Sequence, residues 1–302
     1  MSHQDRRTLI DRSAVSLPLA QQSSLLDIPR STLYYMPVVD QNDIRIMNAM
    51  DVIYTKYPFY GARRMRYELS TAHGISACRE HIGRLMRVMG IEAIYPKPKR
   101  TSFLSQPSKE HVIYPYLLRH LTITHPNQVW GTDITYVRLK EGFCYLVALM
   151  DWYSRYVIAW RLSDTLQEQF CLDDLNDALT VATPTIHNSD QGSHFTSPQY
   201  TDILNARNIQ ISMDGKGRCM DNIFTERLWR TVKYENIYLR SYENIGAARA
   251  GLAEYFTFYN TRRPHAALGM KPPAELYHAS YERVLLKNDA LYAPVSVTTG
   301  AR

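Results

Sequence analysis

Residues 129–163, VWGTDITYVRLKEGFCYLVALMDWYSRYVIAWRLS, decide the fold class. Val129 to Arg138 reads as one strand, Lys140-Glu141-Gly142 as a turn, Phe143 to Asp151 as a second strand and Tyr156 to Leu162 as a third. Short runs rich in β-branched and aromatic residues, broken by turn formers, are the mark of strands in hairpin succession. The period then changes. Cys171, Leu175, Ala178, Leu179 and Ala182 fall at helical spacing within 168–182, and Thr185 to Ser189 is again a short strand. Further helices are expected over 198–207, 221–238 and 244–259.

Three antiparallel strands followed by alternating helix and strand is the order of a ribonuclease H-like α/β core, a mixed five-stranded sheet with flanking helices. The pattern by itself leaves that as one option among several. Upstream the chain reads as all-helical. SLPLAQQSSLLDIPRSTLYY (16–35) has the outline of a helix-turn-helix, with a turn near Asp27 to Pro29, although any helical hairpin shares that outline. A second helical group spans about 43–90, and its last helix carries the core stripe Ile82, Leu85, Met86 and Met89, with Gly90 as a stop. From Tyr95 to about His125 prolines and the basic run Lys97-Pro98-Lys99-Arg100 mark a linker. The expected organisation is a helix-turn-helix-like segment (1–40), a helical DNA-binding module (41–95), a linker (96–124), the α/β core (125–280) and a tail (281–302), poorly ordered from about Leu285.

Charge follows the same division. Residues 1–100 hold 15 Lys and Arg against 9 Asp and Glu, so the whole net charge of +6 lies in the first third. A basic module joined to a neutral one suits a polyanion-binding arm on a separate working domain, and a solvated helical surface reads equally well. Arg63 and Arg64 sit at a helix start, where the helix dipole gives cations no advantage, so DNA phosphate is their expected partner. The longest apolar run, Phe143 to Met150, is too short to span a bilayer, and MSHQDRRTLIDRS has no apolar signal core. Cys78, Cys144, Cys171 and Cys219 lack any paired spacing, which points to a reducing cytoplasm. His73, Cys78 and His81 lack a fourth ligand and read as ordinary helix residues.

Three carboxylates stand where such a core could gather them. Asp133 lies inside the first strand, where a charge is costly unless paired or metal-bound. Asp190 follows a strand that ends in His187-Asn188-Ser189, the end of the strand at which open α/β sheets place their sites. Glu226 is on a helix, and Lys233 follows it seven residues later on the same face. Singly, each carboxylate is more commonly a cap or a solvated charge, and Lys233 a surface ion pair. Together they form an all-oxygen set that selects magnesium over zinc. Two such ions, with manganese as a substitute, would clamp the attacking and leaving oxygens of a phosphodiester. Downstream, Asn260, Arg262, Arg263, Pro264 and His265 form a chain break with exposed cations, suited to phosphate or to capping helix carbonyls, with DNA contact slightly the favoured expectation.

At these residues the chain resembles the second-reading-frame transposases of the insertion-sequence-three family, relatives of retroviral integrases with a DDE catalytic core. The matching text is WGTDITYV, YLVALMDWYSRYVIAWRLS, NSDQGSHFTS, ISMDGKGRCMDNIFTERLWRTVKYE and YNTRRPHAALGMKPPAE, with YGARRMRYEL and RLMRVMGIEAIYPKP upstream, covering about residues 16–277. His194 and Phe195 stand where the family commonly has Gln and an aromatic. The resemblance implies a bacterial insertion-sequence transposase that cleaves and joins double-stranded DNA, with Asp133, Asp190 and Glu226 as metal ligands and Lys233 on DNA. It also implies a homo-oligomer on DNA and, as a further partner, the upstream-frame protein that supplies a terminal-repeat reader. A silent DNA-binding regulator and a nuclease that only hydrolyses are the competing readings. The basic N-terminal segments and the Arg-Arg-Pro-His cluster favour strand transfer.

Overall fold

Alternation along β1, Val129–Arg138, sends Val129 and Val137 to one apolar cluster and Trp130 to another, so this strand is covered on both faces. In the computed structural model, which describes residues 6, 8–14, 16–29, 31, 40–94, 112–215 and 222–279, it is the middle strand of the sheet. Strands β2 (Phe143–Asp151) and β3 (Val157–Ser163) continue from it antiparallel, and β4 (Ile186–Ser189) and β5 (Gln210–Met213) extend the other side parallel. The order is β3-β2-β1-β4-β5. The mixed five-stranded sheet read from the pattern is therefore present. β3 begins one residue later than expected, because Arg155 takes a left-handed φ of 65° as the chain turns.

The helices ahead of the sheet among the described residues include α1 (Leu19–Leu25), α2 (Gln41–Lys56), α3 (Ala62–His73) and α4 (Arg79–Val88). Asp40 caps α2 by accepting from Asn42 N, and Gly74 closes α3 with φ 62°. Helices α2 to α4 enclose their own core of Ile46, Met50, Tyr60, Met65, Leu69, Ile82, Leu85 and Met86, so the stripe foreseen on α4 is core. His81 is taken by Asp43, whose Oδ1 lies 2.6 Å from its Nε2. Of the expected hairpin at 16–35 only α1 and the turn at Asp27 (φ 50°) can be described. The second helix of that hairpin, Lys97, Lys99 and Arg100 of the linker, and the tail from 281 lie outside the described residues.

After β3 come α5 (Gln169–Val181), α6 (Pro198–Asn205), α7 (Ile223–Val232) and α8 (Ile245–Thr261). Helices α5 and α6 cover one sheet face through Phe170, Leu175, Tyr200 and Leu204, and α7 and α8 cover the other through Leu228, Val232, Leu252 and Phe256. The helix expected over 221–238 is interrupted. Lys233–Ile237 is wound as a π-turn, followed by one last turn, Tyr238–Arg240. The helical module meets the core where the Tyr57 ring stacks on Phe258 of α8, with centroids 5.0 Å apart.

Candidate active site

Parallel pairing sets the level of the acidic residues. Gly131 of β1 is paired with Asn188 of β4, and Ser189 of β4 with Met213 of β5. Continuing those registers, Asp133, Asp190 and Asp214 come to the same height on three neighbouring strands, at the C-terminal ends of β4 and β5. Asp133 Oδ1 accepts from Ile134 N at 2.8 Å and Oδ2 from Trp229 Nε1 of α7 at 2.9 Å. Burial, and after it the charge of Asp190, push the Asp133 carboxyl up to about 7. The bonds from Trp229 and Ile134 pull the other way, and Asp214 adds to the rise. Asp190 Oδ1 accepts from Gly192 N at 2.8 Å, and a Cβ on Gly192 would stand 2.8 Å from that same oxygen, so any larger residue there would displace the Asp190 carboxylate. Asp214 is buried, and its Oδ1 accepts from Asn188 Nδ2 at 2.8 Å.

Helix α7 brings the remaining groups. Its approach to β1 depends on Gly131, where a Cβ would meet Trp152 Nε1 at 2.1 Å and Thr225 Oγ1 at 3.0 Å. Glu226 lies in the first turn of α7, exposed, where a carboxylate complements the helix dipole, and partial burial raises its pKa. Lys233 opens the π-turn. Burial lowers its pKa and the charge of Asp133 opposes that fall, so the ammonium and the carboxylate sense each other. Asp133 and Asp190 are thus drawn together, with Trp229 and Lys233 beside them. Among the described residues no three His, Cys, Asp or Glu side chains are gathered closely enough to hold a metal ion, so Glu226 stands apart from the two aspartates. An all-oxygen pair, one member of which is pushed up to about 7 by burial and then by its neighbour's charge, is nevertheless a donor set that a hard dication fits.

The expected DNA contacts divide. Arg63 and Arg262 are exposed. Arg263 is only 4% exposed and is turned inward, with Nε 2.6 Å from Glu235 Oε2 and Nη2 2.7 Å from Oε1. Arg64 joins the same carboxylate through Nη1 at 2.8 Å from Oε1. His265 takes the 3.0 Å contact from Arg263 Nη1, and burial followed by the charge of Arg263 drives it down to about 2, so it carries no charge to offer phosphate. Arg263 and His265 therefore do not form the exposed cationic cluster that the Arg-Arg-Pro-His text suggested. A long side chain at a chain break can fold back onto a buried carboxylate, and Glu235 was the residue that sequence reading passed over. Trp229 and Asp214 were also missed. The one legible hint for Trp229 is its place three residues after Glu226, and for Asp214 its place directly after a strand.

Two models described as integrase core domain match residues 123–219 and 207–273, and one described as HTH-like domain matches residues 41–99. The helix-turn-helix likeness thus falls on α2 to α4, downstream of the 16–35 segment in which the outline was read. The transposase for insertion sequence element IS629 of Shigella sonnei is 31% identical over 236 residues, 78% of this chain and 78% of that protein. The chain belongs to the insertion-sequence transposases. The transposase for IS904 of Lactococcus lactis is 33% identical over 72% of this chain and 86% of its own length. A putative transposase for IS150 of Escherichia coli, InsK, is 27% identical over 87% and 95%. As a transposase of this kind, the chain is a DNA-binding polynucleotidyl transferase with an integrase core. Among its described residues no helix is long and apolar enough to cross a membrane.

Proposed function

We propose that this transposase cuts and joins DNA strands at a site built on Asp133, Asp190 and Glu226, with magnesium held first by the two aspartates. The observation that carries the reading is the level alignment of Asp133 and Asp190 on parallel neighbours, close enough for the charge of Asp190 to help raise the Asp133 carboxyl. Bound magnesium would supply positive charge to the attacking and leaving oxygens of an in-line displacement, and manganese would do the same. Trp229 and Ile134 N fix the orientation of Asp133, and Gly192 N fixes Asp190. Glu226 is the third carboxylate in this reading, carried by the helix that already touches Asp133, and would supply an oxygen ligand for a second ion. Lys233, drawn toward Asp133, is suited to grip the phosphate being processed. Arg63, Arg262, Lys97, Lys99 and Arg100 are the proposed phosphate contacts outside the site.

The protein is proposed to act as a homo-oligomer on DNA, since joining two element ends requires two sites brought together. An upstream-frame protein as partner, and a cytoplasmic place at the nucleoid, follow from the family resemblance. The test is Glu226→Gln, which keeps size and helix propensity and removes a charge and a strong metal-binding oxygen. With labelled element ends and magnesium, and again with manganese, cutting and joining should collapse while DNA binding is kept. Asp133→Asn and Asp190→Asn should behave alike. Near-normal joining by folded Glu226→Gln protein removes that residue from the site, and nicked products without joined ones favour a nuclease.

A further inference from the structure

Glu235 lies in the π-turn and its side chain is 2% exposed, yet both its oxygens are fully engaged. Oε1 accepts from Arg64 Nη1 at 2.8 Å and Arg263 Nη2 at 2.7 Å, and Oε2 from Arg263 Nε at 2.6 Å and Tyr255 Oη at 2.9 Å. Burial alone would raise its pKa, but the two guanidiniums outweigh burial and the net shift is downward. Three of the four bonds come from the core. The fourth comes from α3 of the helical module, beside the stack of Tyr57 on Phe258. On its other side the π-turn begins at Lys233, which senses the charge of Asp133, and continues from α7, whose Trp229 donates to Asp133. One continuous helical rod therefore touches an acidic residue of the site at one end and the DNA-binding module at the other.

We propose that Glu235 is a positioning residue for strand cutting. Its bond to Arg64 transmits the docked position of the helical module to the helix that orients Asp133 and presents Lys233. The proposal rests on the reading that Asp133 belongs to the active site. It assigns Arg64 to this joint and not to phosphate. Arg263 satisfies the carboxylate as a bidentate partner without Arg64, so removing Arg64 leaves no bare buried charge and folding is retained. Removing Arg263 or Glu235 would strand a buried partner, which makes Arg64 the informative position.

The experiment uses the full chain, labelled element ends and magnesium. Single-turnover cutting is measured at saturating DNA, with Kd and melting temperature determined in parallel. Arg64→Ala should lower the cutting rate at saturation about tenfold or more, the scale of one charge-assisted hydrogen bond, while Kd moves by less than about threefold. Arg64→Lys should recover part of the rate. A Kd that weakens while the saturated rate stays unchanged makes Arg64 a phosphate contact and overturns the proposal. A lower melting temperature with unchanged rate and Kd reduces the joint to a structural contact and overturns it equally. Asp133→Asn is measured alongside. If that variant cuts normally, the active-site reading on which the proposal rests fails on its own account, whereas loss of cutting in Asp133→Asn with a normal rate in Arg64→Ala overturns the joint alone.

Discussion

Trp229 Nε1 donates a 2.9 Å hydrogen bond to Asp133 Oδ2, tying the helix that carries Glu226 to the central strand of the sheet. The indole is 6% exposed, so the bond is made out of water and cannot be readily replaced by solvent. Trp229→Phe keeps the apolar contacts and removes the donor. Cutting should fall roughly 10- to 100-fold, from about 1.5–3 kcal/mol for a hydrogen bond to a charged group. The protein should remain folded by circular dichroism. An unchanged single-turnover rate would show that Asp133 is oriented without the indole.

Gly131→Ala should be far more damaging than its size implies. The added Cβ would lie 2.1 Å from Trp152 Nε1, and neither the indole nor α7 can retreat without opening the apolar cluster between them. Overpacking of this kind costs about 1–3 kcal/mol or more. A urea midpoint equal to that of the parent protein would contradict the close approach.

Asp174 of α5 is fully buried, and neither carboxylate oxygen meets a hydrogen-bond donor. Burial first, and the neighbouring Asp177 second, raise its pKa well above the usual range against the pull of Arg161. The folded state therefore keeps a proton that the unfolded chain releases near pH 4. This group's contribution is fully present below that pH and is lost as pH rises toward the folded value. Each pKa unit corresponds to about 1.4 kcal/mol. Asp174→Asn should flatten the decline of melting temperature between about pH 5 and 8, leaving the variant the more stable at the upper end. Parallel curves for the two proteins would show that Asp174 does not titrate in this window.

Deleting residues 1–100 should leave a folded sheet domain, because both apolar clusters on the sheet are built from residue 114 onward. Stability should drop, since Phe258 loses the Tyr57 stack and Glu235 loses Arg64. Non-specific DNA affinity should weaken, with the slope of log K against log salt shallower by about 0.9 for each phosphate contact removed. An unchanged slope would place the contacts in the core.

The sheet was legible because its strands announce themselves twice, in composition and in alternation, and because both faces of β1 demand covering. Asp133 and Asp190 were legible for a related reason: a charge inside an apolar strand and a charge just past a strand's end are each anomalous at their own positions. Glu235, Arg263 and Tyr255 were not, because a buried ion pair between residues 28 apart in sequence leaves no local trace. Arg64 and Arg263 read as free cations from sequence, since the carboxylate that claims them, Glu235, lies 171 and 28 residues away along the chain. The π-turn was equally invisible. Residues 233–237 have ordinary helix propensities, and it is tertiary packing that winds them wider.

That wider winding is a matter of phase. A π-turn fits one residue more than an α-helical turn, and each α-helical residue advances the side chains by about 100°. Were residues 233–237 wound as regular α-helix with none removed, the residues beyond the turn would swing by up to about a quarter of a circle around the rod relative to Trp229. Trp229, upstream of the turn, would still reach Asp133. The extra residue acts as a phase adjuster, letting one rod keep time with two surfaces whose angular spacing no regular helix matches.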